Sequence, residues 1–131
     1  DRLKTNQGTI INVSSGLAFV PLQASPIYCA TKAGLHSYTI TLRQQLAGKV
    51  EVIELMPPAV KTALTEDFEG NDDFKLITTA QLIDATIPQL RSGAAEIRPG
   101  QSNQLHWMSR IAPGFIQGQL AKGSEGLIPE A

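Results

Sequence analysis

The run Thr9-Ile-Ile-Asn-Val-Ser-Ser15 decides how the rest of the chain is read. It is β-branched and mostly apolar, and so short a run suits a strand buried on both faces of a parallel sheet. The residues downstream fit a strand there. Gly16 to Ala24 is a loop holding Pro21, and Ser25-Pro26 then opens a helix, with Ser at N-cap and Pro at N1. The pattern carries this helix to Leu46 or Ala47, with Gly48 as the C-terminal stop. Ile27, Leu35, Tyr38, Leu42 and Leu46 give it an apolar stripe, while Ala30, Ala33 and Gly34 leave room for another element to approach. Lys49 to Met56 reads as a second strand, ended by Pro57-Pro58 because proline cannot donate to a ladder.

Further along, Thr62 to Lys75 is polar and acidic and predicts a mobile segment with a short helix, Gly70-Asn-Asp-Asp73 included. Thr78 and Gln81 form a capping-box pattern for a helix over Thr78 to Arg91, with Leu82, Ile83, Ile87 and Leu90 as its buried face. Pro88 should kink or shorten its last turn, and Ser92-Gly93 stops it. Ala94 to Arg98 is a third strand, closed by Pro99-Gly100. Residues 101–131 form a C-terminal extension, in which Leu105 to Leu120 is amphipathic and interrupted at Ala112-Pro-Gly114. Alternation of strand and helix implies an α/β fold: a parallel sheet of about three strands with flanking helices and right-handed crossovers. Three strands are few, and one edge would be left unpaired. The chain also opens without Met on a polar stretch, Asp1 to Gln7. The expectation is the C-terminal part of a longer protein, with residues 1–131 a partial domain.

Bulk properties bound the function. The chain has 131 residues, 42% hydrophobic and 18% charged, which reads as globular rather than disordered. A net charge of -1 gives no electrostatic case for nucleic acid or an anionic membrane. No apolar run approaches the ~18 residues of a transmembrane segment. Cys29 is the only cysteine, so no internal disulfide forms, which suits the cytoplasm.

Tyr28 and Lys32 stand four apart and share one helix face. An ammonium beside a phenol favours the phenolate, which gives the pairing a chemical point, although such pairs also arise by chance. Ser15 ends a buried strand thirteen residues earlier. Ligands of parallel sheets sit outside the carboxyl ends of the strands. A hydroxyl there is placed to hold a substrate oxygen while a tyrosine moves the proton; the plainer alternative is an ordinary strand-end loop.

Taken in order, Ile10-Ile-Asn-Val-Ser-Ser15, Tyr28-Cys-Ala-Thr-Lys32 and Pro57-Pro-Ala-Val-Lys-Thr62 resemble the catalytic half of the short-chain dehydrogenases/reductases, over about residues 8 to 65. The resemblance implies the C-terminal half of a Rossmann-like doubly wound parallel sheet. It implies NAD or NADP as cofactor, a small-molecule carbonyl or alcohol as substrate, and a homo-oligomer, dimer or tetramer. It assigns Ser15 to orienting the substrate oxygen, Tyr28 to proton transfer, and Lys32 to activating Tyr28 and holding the nicotinamide ribose. Val60 would contact the carboxamide through its backbone, and Thr62 the carboxamide or a phosphate. Pro58 falls in the same cofactor-binding segment, where the family carries glycine. The family's Gly-rich turn and catalytic asparagine have no counterpart here, Asn12 being too close to Ser15. Leu55 to Leu64, Glu96 to Gln101 and Met108 to Ile116 further resemble bacterial DltE-type oxidoreductases.

The remaining residues read as structural. His36 and His106 lack the neighbours of a metal site, and none is expected. Cys29 packs, and Glu66, Asp67 and Glu69 form a solvated face. Trp107, Met108, Ile111, Phe115 and Ile116 form a packing stripe rather than a membrane anchor, since the stretch lacks a rich Lys/Arg flank. Two functions stay open: a carbonyl/alcohol oxidoreductase, or a non-catalytic fragment serving as a structural or assembly module.

Overall fold

Three parallel strands lie side by side in sequence order, β1 (Thr9–Val13), β2 (Glu51–Leu55) and β3 (Glu96–Ile97). The computed structural model describes residues 1–70 and 74–128, without the Asp67 side chain. Of the polar loop read as mobile, Asn71 to Asp73 lie outside the described residues. A short helix α1 (Arg2–Thr5) precedes β1, and α2 (Pro26–Gln45) links β1 to β2. Between β2 and β3 come a 3₁₀ segment (Ala63–Phe68) and α3 (Thr79–Arg91). The chain then continues through α4 (Gln101–Ile111) and α5 (Pro113–Gly123).

Register runs from Thr9 opposite Glu51 to Val13 opposite Leu55, and β3 joins with Glu96 opposite Glu54. The pairing outlasts the strands. Ser14 N–H donates to the Leu55 carbonyl at 2.9 Å, Gly16 N–H to Pro57 at 3.0 Å, and Met56 N–H to Ile97 at 2.8 Å. The three carboxyl ends are thereby held level. Val52, Ile53, Met56 and Ile97 are buried along β2 and β3, joined by Val20 and Leu22 from the loop and Ile116 from α5.

β1 departs from the expectation of two buried faces. Its burial alternates, and Ile11 and Val13 are 46% and 49% exposed. It pairs only with β2 among the described residues, and no described element covers those two side chains' face. β2, flanked on both sides, matches the expectation better.

α2 docks by a face that matches the predicted stripe in part, with Leu35, Leu42 and Leu46 half-buried on it. Ile27 and Tyr38 point outward at 80% and 56% exposure. The sheet-facing seam is Cys29, Lys32, His36, Thr39 and Arg43, spaced three and four apart as one helix stripe requires. Its four polar members all bond to the sheet. Lys32 Nζ donates to Val13 O at 2.9 Å, and Arg43 Nε to Val52 O at 2.8 Å. Thr39 Oγ1 accepts from Asn12 Nδ2 at 2.9 Å, and His36 Nδ1 lies 2.9 Å from Glu54 Oε2. A hydrophobic pattern locates a helix correctly but overlooks a face that packs through satisfied polar groups.

α3 keeps its capping box, with Gln81 N–H donating to Thr78 Oγ1 at 3.1 Å and Thr78 N–H to Gln81 Oε1 at 2.9 Å. Ile83 and Ile87 of its predicted buried face are outward, and Thr86 is buried instead. Pro88 does not end the helix, which runs on to Arg91. The predicted amphipathic stretch is two helices: Gly100, at φ 55°, turns the chain into α4, and Pro113 opens α5.

α4 lies against the turn after β1. A Cβ built on Gly16 would fall 2.6 Å from Ser102 Oγ and 3.1 Å from Ser102 Cα. Gly16→Ala should therefore cost about 1–3 kcal/mol, since the close backbone of α4 must shift. The check is urea denaturation of both proteins, read as a lower midpoint at unchanged slope.

Candidate functional site

Ser15 sits two residues beyond the last residue of β1, in extended backbone, and is buried. Its Oγ accepts from Leu17 N–H at 3.1 Å and so caps the 3₁₀ turn Gly16–Ala18. That bond uses an acceptor lone pair and leaves the hydroxyl proton available to another oxygen. Tyr28 is the third residue of α2 and half-buried. Lys32 Nζ stands 5.6 Å from its ring centroid. The same ammonium is fastened to Val13 O, two residues before Ser15. Helix start and strand end thus meet at one ammonium. Among the described residues no hydrogen bond links the Tyr28 hydroxyl to Ser15 or Lys32.

The segment after β2 lies at the same end of the sheet. Val60 and Ile77 form an isolated parallel bridge, with Lys61 N–H donating to Ile77 O at 2.8 Å and Ile77 N–H to Ala59 O at 3.0 Å. The Val60 carbonyl accepts from Thr65 Oγ1 at 2.6 Å, whereas no described group accepts from the Val60 N–H. Thr62 opens the next 3₁₀ segment, its N–H bonded to Thr65 Oγ1 at 3.0 Å. Pro58 is partly buried and approaches the start of α4, its Cγ lying 4.0 Å from where a Gly100 Cβ would be. Beyond Thr62 an open depression is lined by Lys61, Phe68, Phe74 and Leu76. Phe68 and Phe74 meet edge to face at 5.1 Å, and Lys61 pairs with Glu69 at 3.4 Å.

Sequence reasoning passed over two polar groups behind this surface. Glu54 is fully buried, bonded to Ser14 and His36. His36 meets Phe19 edge to face at 5.1 Å, and Phe19 meets His106 the same way at 4.8 Å. Arg98 Nη1 lies 2.9 Å from His106 Nε2, and Arg110 Nη1 lies 3.0 Å from its Nδ1. The only sequence signal was a glutamate, Glu54, set among the apolar residues Val52, Ile53 and Leu55 of its strand. Among the described residues no group of three or more His, Cys, Asp or Glu is arranged to hold a metal ion.

A parallel sheet, a hydroxyl at a strand's carboxyl end and a tyrosine–lysine pair on the following helix define an α/β protein with Ser15, Tyr28 and Lys32 gathered toward one end of the sheet. The model of the short chain dehydrogenase family matches residues 2–73, and the chain belongs to that family. It is 41% identical over 98 residues to a Bacillus subtilis protein named uncharacterized oxidoreductase DltE, covering 72% of this chain and 39% of the relative. It is 33% identical over 119 residues to 11-beta-hydroxysteroid dehydrogenase-like 2 of Arabidopsis thaliana, covering 87% of this chain and 39% of that one. A crystal structure of a short chain dehydrogenase from Burkholderia cenocepacia in complex with NADP superposes with a TM-score of 0.78 at 28% identity. That match covers 90% of this chain and 49% of the other. The chain thus spans 39% of the length of the two relatives and bears the three-stranded part of a Rossmann-like fold. Among the described residues no helix is long and apolar enough to cross a membrane.

His106 holds its proton less tightly than an ordinary histidine, because burial and then the charges of Arg98 and Arg110 disfavour the imidazolium. Glu96 pulls the other way and is outweighed. A lowered folded-state value means that the unfolded chain binds the proton more readily. The stability this contributes is present above the ordinary value of 6.5 and is lost as the pH falls below it through the lowered folded-state value. Melting temperature should therefore drop as the pH falls below 6.5, and His106→Gln should flatten that slope. Equal slopes in the two proteins, measured by thermal melts in matched buffers, would remove His106 from the acid response.

Proposed function

We propose that this chain is the catalytic half of an NAD(P)-dependent oxidoreductase that interconverts a carbonyl and an alcohol, with Ser15, Tyr28 and Lys32 as its acid/base site. One observation carries the reading. Lys32 faces the Tyr28 ring at 5.6 Å while its ammonium is bonded to Val13 O beside Ser15. Membership of the family and the NADP held by the Burkholderia structure support a nicotinamide cofactor. The unclaimed Val60 N–H and the Lys32 ammonium fit the nicotinamide–ribose end of such a molecule. Thr62 and Pro58 would border the same end. When bound, the cofactor supplies or accepts the hydride.

The chain's own residues then have separable tasks. Ser15, its oxygen held by Leu17 N–H, donates its hydroxyl proton to the substrate oxygen and fixes that oxygen's position. Tyr28 gives its phenolic proton to the same oxygen in reduction and takes it back in oxidation. Lys32 stabilises the negative charge Tyr28 bears after giving up the proton. The depression lined by Phe68 and Phe74 offers an apolar wall for the substrate. The outward face of α2 bears Ile27 and Tyr38 at 80% and 56% exposure, beside the exposed Ala30, Ala33 and Gly34, which suits a homo-oligomer, dimer or tetramer. A reducing cytoplasm accords with the single free cysteine.

A second reading treats the chain as a non-catalytic fragment serving as a structural or assembly module. What favours it is that the aligned stretch covers only 39% of either relative. Two measurements separate them. In the full-length protein Tyr28→Phe should lower turnover by at least about 100-fold while the melting temperature holds. Turnover at the wild-type level in that variant would take Tyr28 out of the mechanism. Fluorescence titration of this chain alone with NADH and NADPH is the second: tight binding would remove the non-catalytic reading, whereas weak binding is expected if a Gly-rich turn elsewhere holds the pyrophosphate.

A further inference from the structure

Glu54 presents a carboxylate with no exposure to solvent, in the middle of the three-stranded sheet. Burial of an ionisable group is costly unless both oxygens find partners. Here they do. Oε1 accepts from the hydroxyl of Ser14, and Oε2 meets Nδ1 of His36 at 2.9 Å. Ser14 is the neighbour of Ser15. His36 lies one helical turn beyond Lys32 and two turns beyond Tyr28, on the seam by which α2 meets the sheet. One carboxylate therefore bridges the strand end that carries the serine and the helix that carries the tyrosine and lysine. Phe19, edge-on to the His36 ring at 5.1 Å, closes that side of the imidazole.

Apolar packing would hold α2 down as firmly, but it is non-directional. Hydrogen bonds are directional, and two on one carboxylate fix how far the helix slides and rolls over the strand. Proton transfer is sensitive to that setting, because a misplacement of about 1 Å costs on the order of 100-fold in rate. Of the four polar ties from α2 to the sheet, only this one passes through a side chain that touches Ser15's neighbour. We propose that the buried Glu54 carboxylate, clamped between Ser14 and His36, is a positioning residue that sets Ser15 against Tyr28 and Lys32. This inference rests on the acid/base reading of those three residues.

A purely structural role makes the opposite forecast. Replacing a buried polar or ionic pair by apolar residues of similar volume is often neutral or stabilising, so a purely structural pair leaves kcat as it was. The test is the double variant Glu54→Leu/His36→Leu in the full-length protein, with NADPH and 9,10-phenanthrenequinone as the activated ketone probe. The expected result is a melting temperature at or above that of the wild type. With it should come a kcat lower by about 10- to 100-fold and a KM for NADPH within about twofold. Wild-type kcat in the double variant, with Tyr28→Phe inactive, would overturn the clamp and leave the acid/base reading standing. Turnover by Tyr28→Phe would overturn both. Ser14→Ala cuts the tie at its strand end and leaves one Glu54 oxygen unpaired, so it should lower the melting temperature and, at a temperature where the variant is folded, lower kcat at unchanged KM for NADPH. Unchanged kcat there would equally sink the clamp should the double variant not fold.

Discussion

The α2 helix is joined to the sheet by hydrogen bonds rather than by a greasy stripe, and the rest of the molecule is arranged around that constraint. Lys32, His36, Thr39 and Arg43 each reach a partner on β1 or β2. Thr39 is fully buried, and leaving its hydroxyl unpaired would cost about 1–3 kcal/mol, while the half-buried Lys32, His36 and Arg43 add directional ties around it. Arg43 extends the network beyond its own strand, donating to Ala95 O at 2.9 Å and facing Glu96 at 3.6 Å. The seam thus sets the third strand as well as the first two. An apolar seam would tolerate sliding by a fraction of a turn; this one does not.

The placing of the helix start against the strand ends follows from the same constraint. Because α2 cannot slide, Tyr28 and Lys32 arrive at the carboxyl end of β1, where Ser15 and the Val60 segment already lie. α4 then covers the turn after Ser15 through the close approach of Ser102 to Gly16. The C-terminal helices therefore belong to the architecture of the site, even though the family match stops at residue 73.

Much of this was legible in the sequence. Strand and helix order, parallel pairing, the Pro26 helix start and the Thr78–Gln81 cap all follow from local chemistry that the structure obeys. The Tyr28–Lys32 pair and its meeting with the end of β1 were legible because motif spacing is fixed by one helix turn and one loop. Packing faces were not. Ile27, Tyr38, Ile83 and Ile87 look like core in a pattern and are outward here, while Thr39, Thr86 and Glu54 are buried. Pattern reading weighs apolarity, and it is blind to polar side chains whose partners lie dozens of residues away. Glu54 and Ser14 are 40 positions apart, so nothing local announces their bond. The end of α3 at Arg91, past Pro88, was legible from Ser92-Gly93.

The open side of β1 has a consequence of its own. Its backbone presents unpaired donors and acceptors, and Ile11 and Val13 stand beside them half-exposed. A row of backbone groups accepts another strand by main-chain bonding, with side chains choosing only the fit. That edge therefore selects by backbone geometry before it selects by chemistry: any strand seated there would take its register from β1's own ladder, with Ile11 and Val13 deciding only what packs on their face.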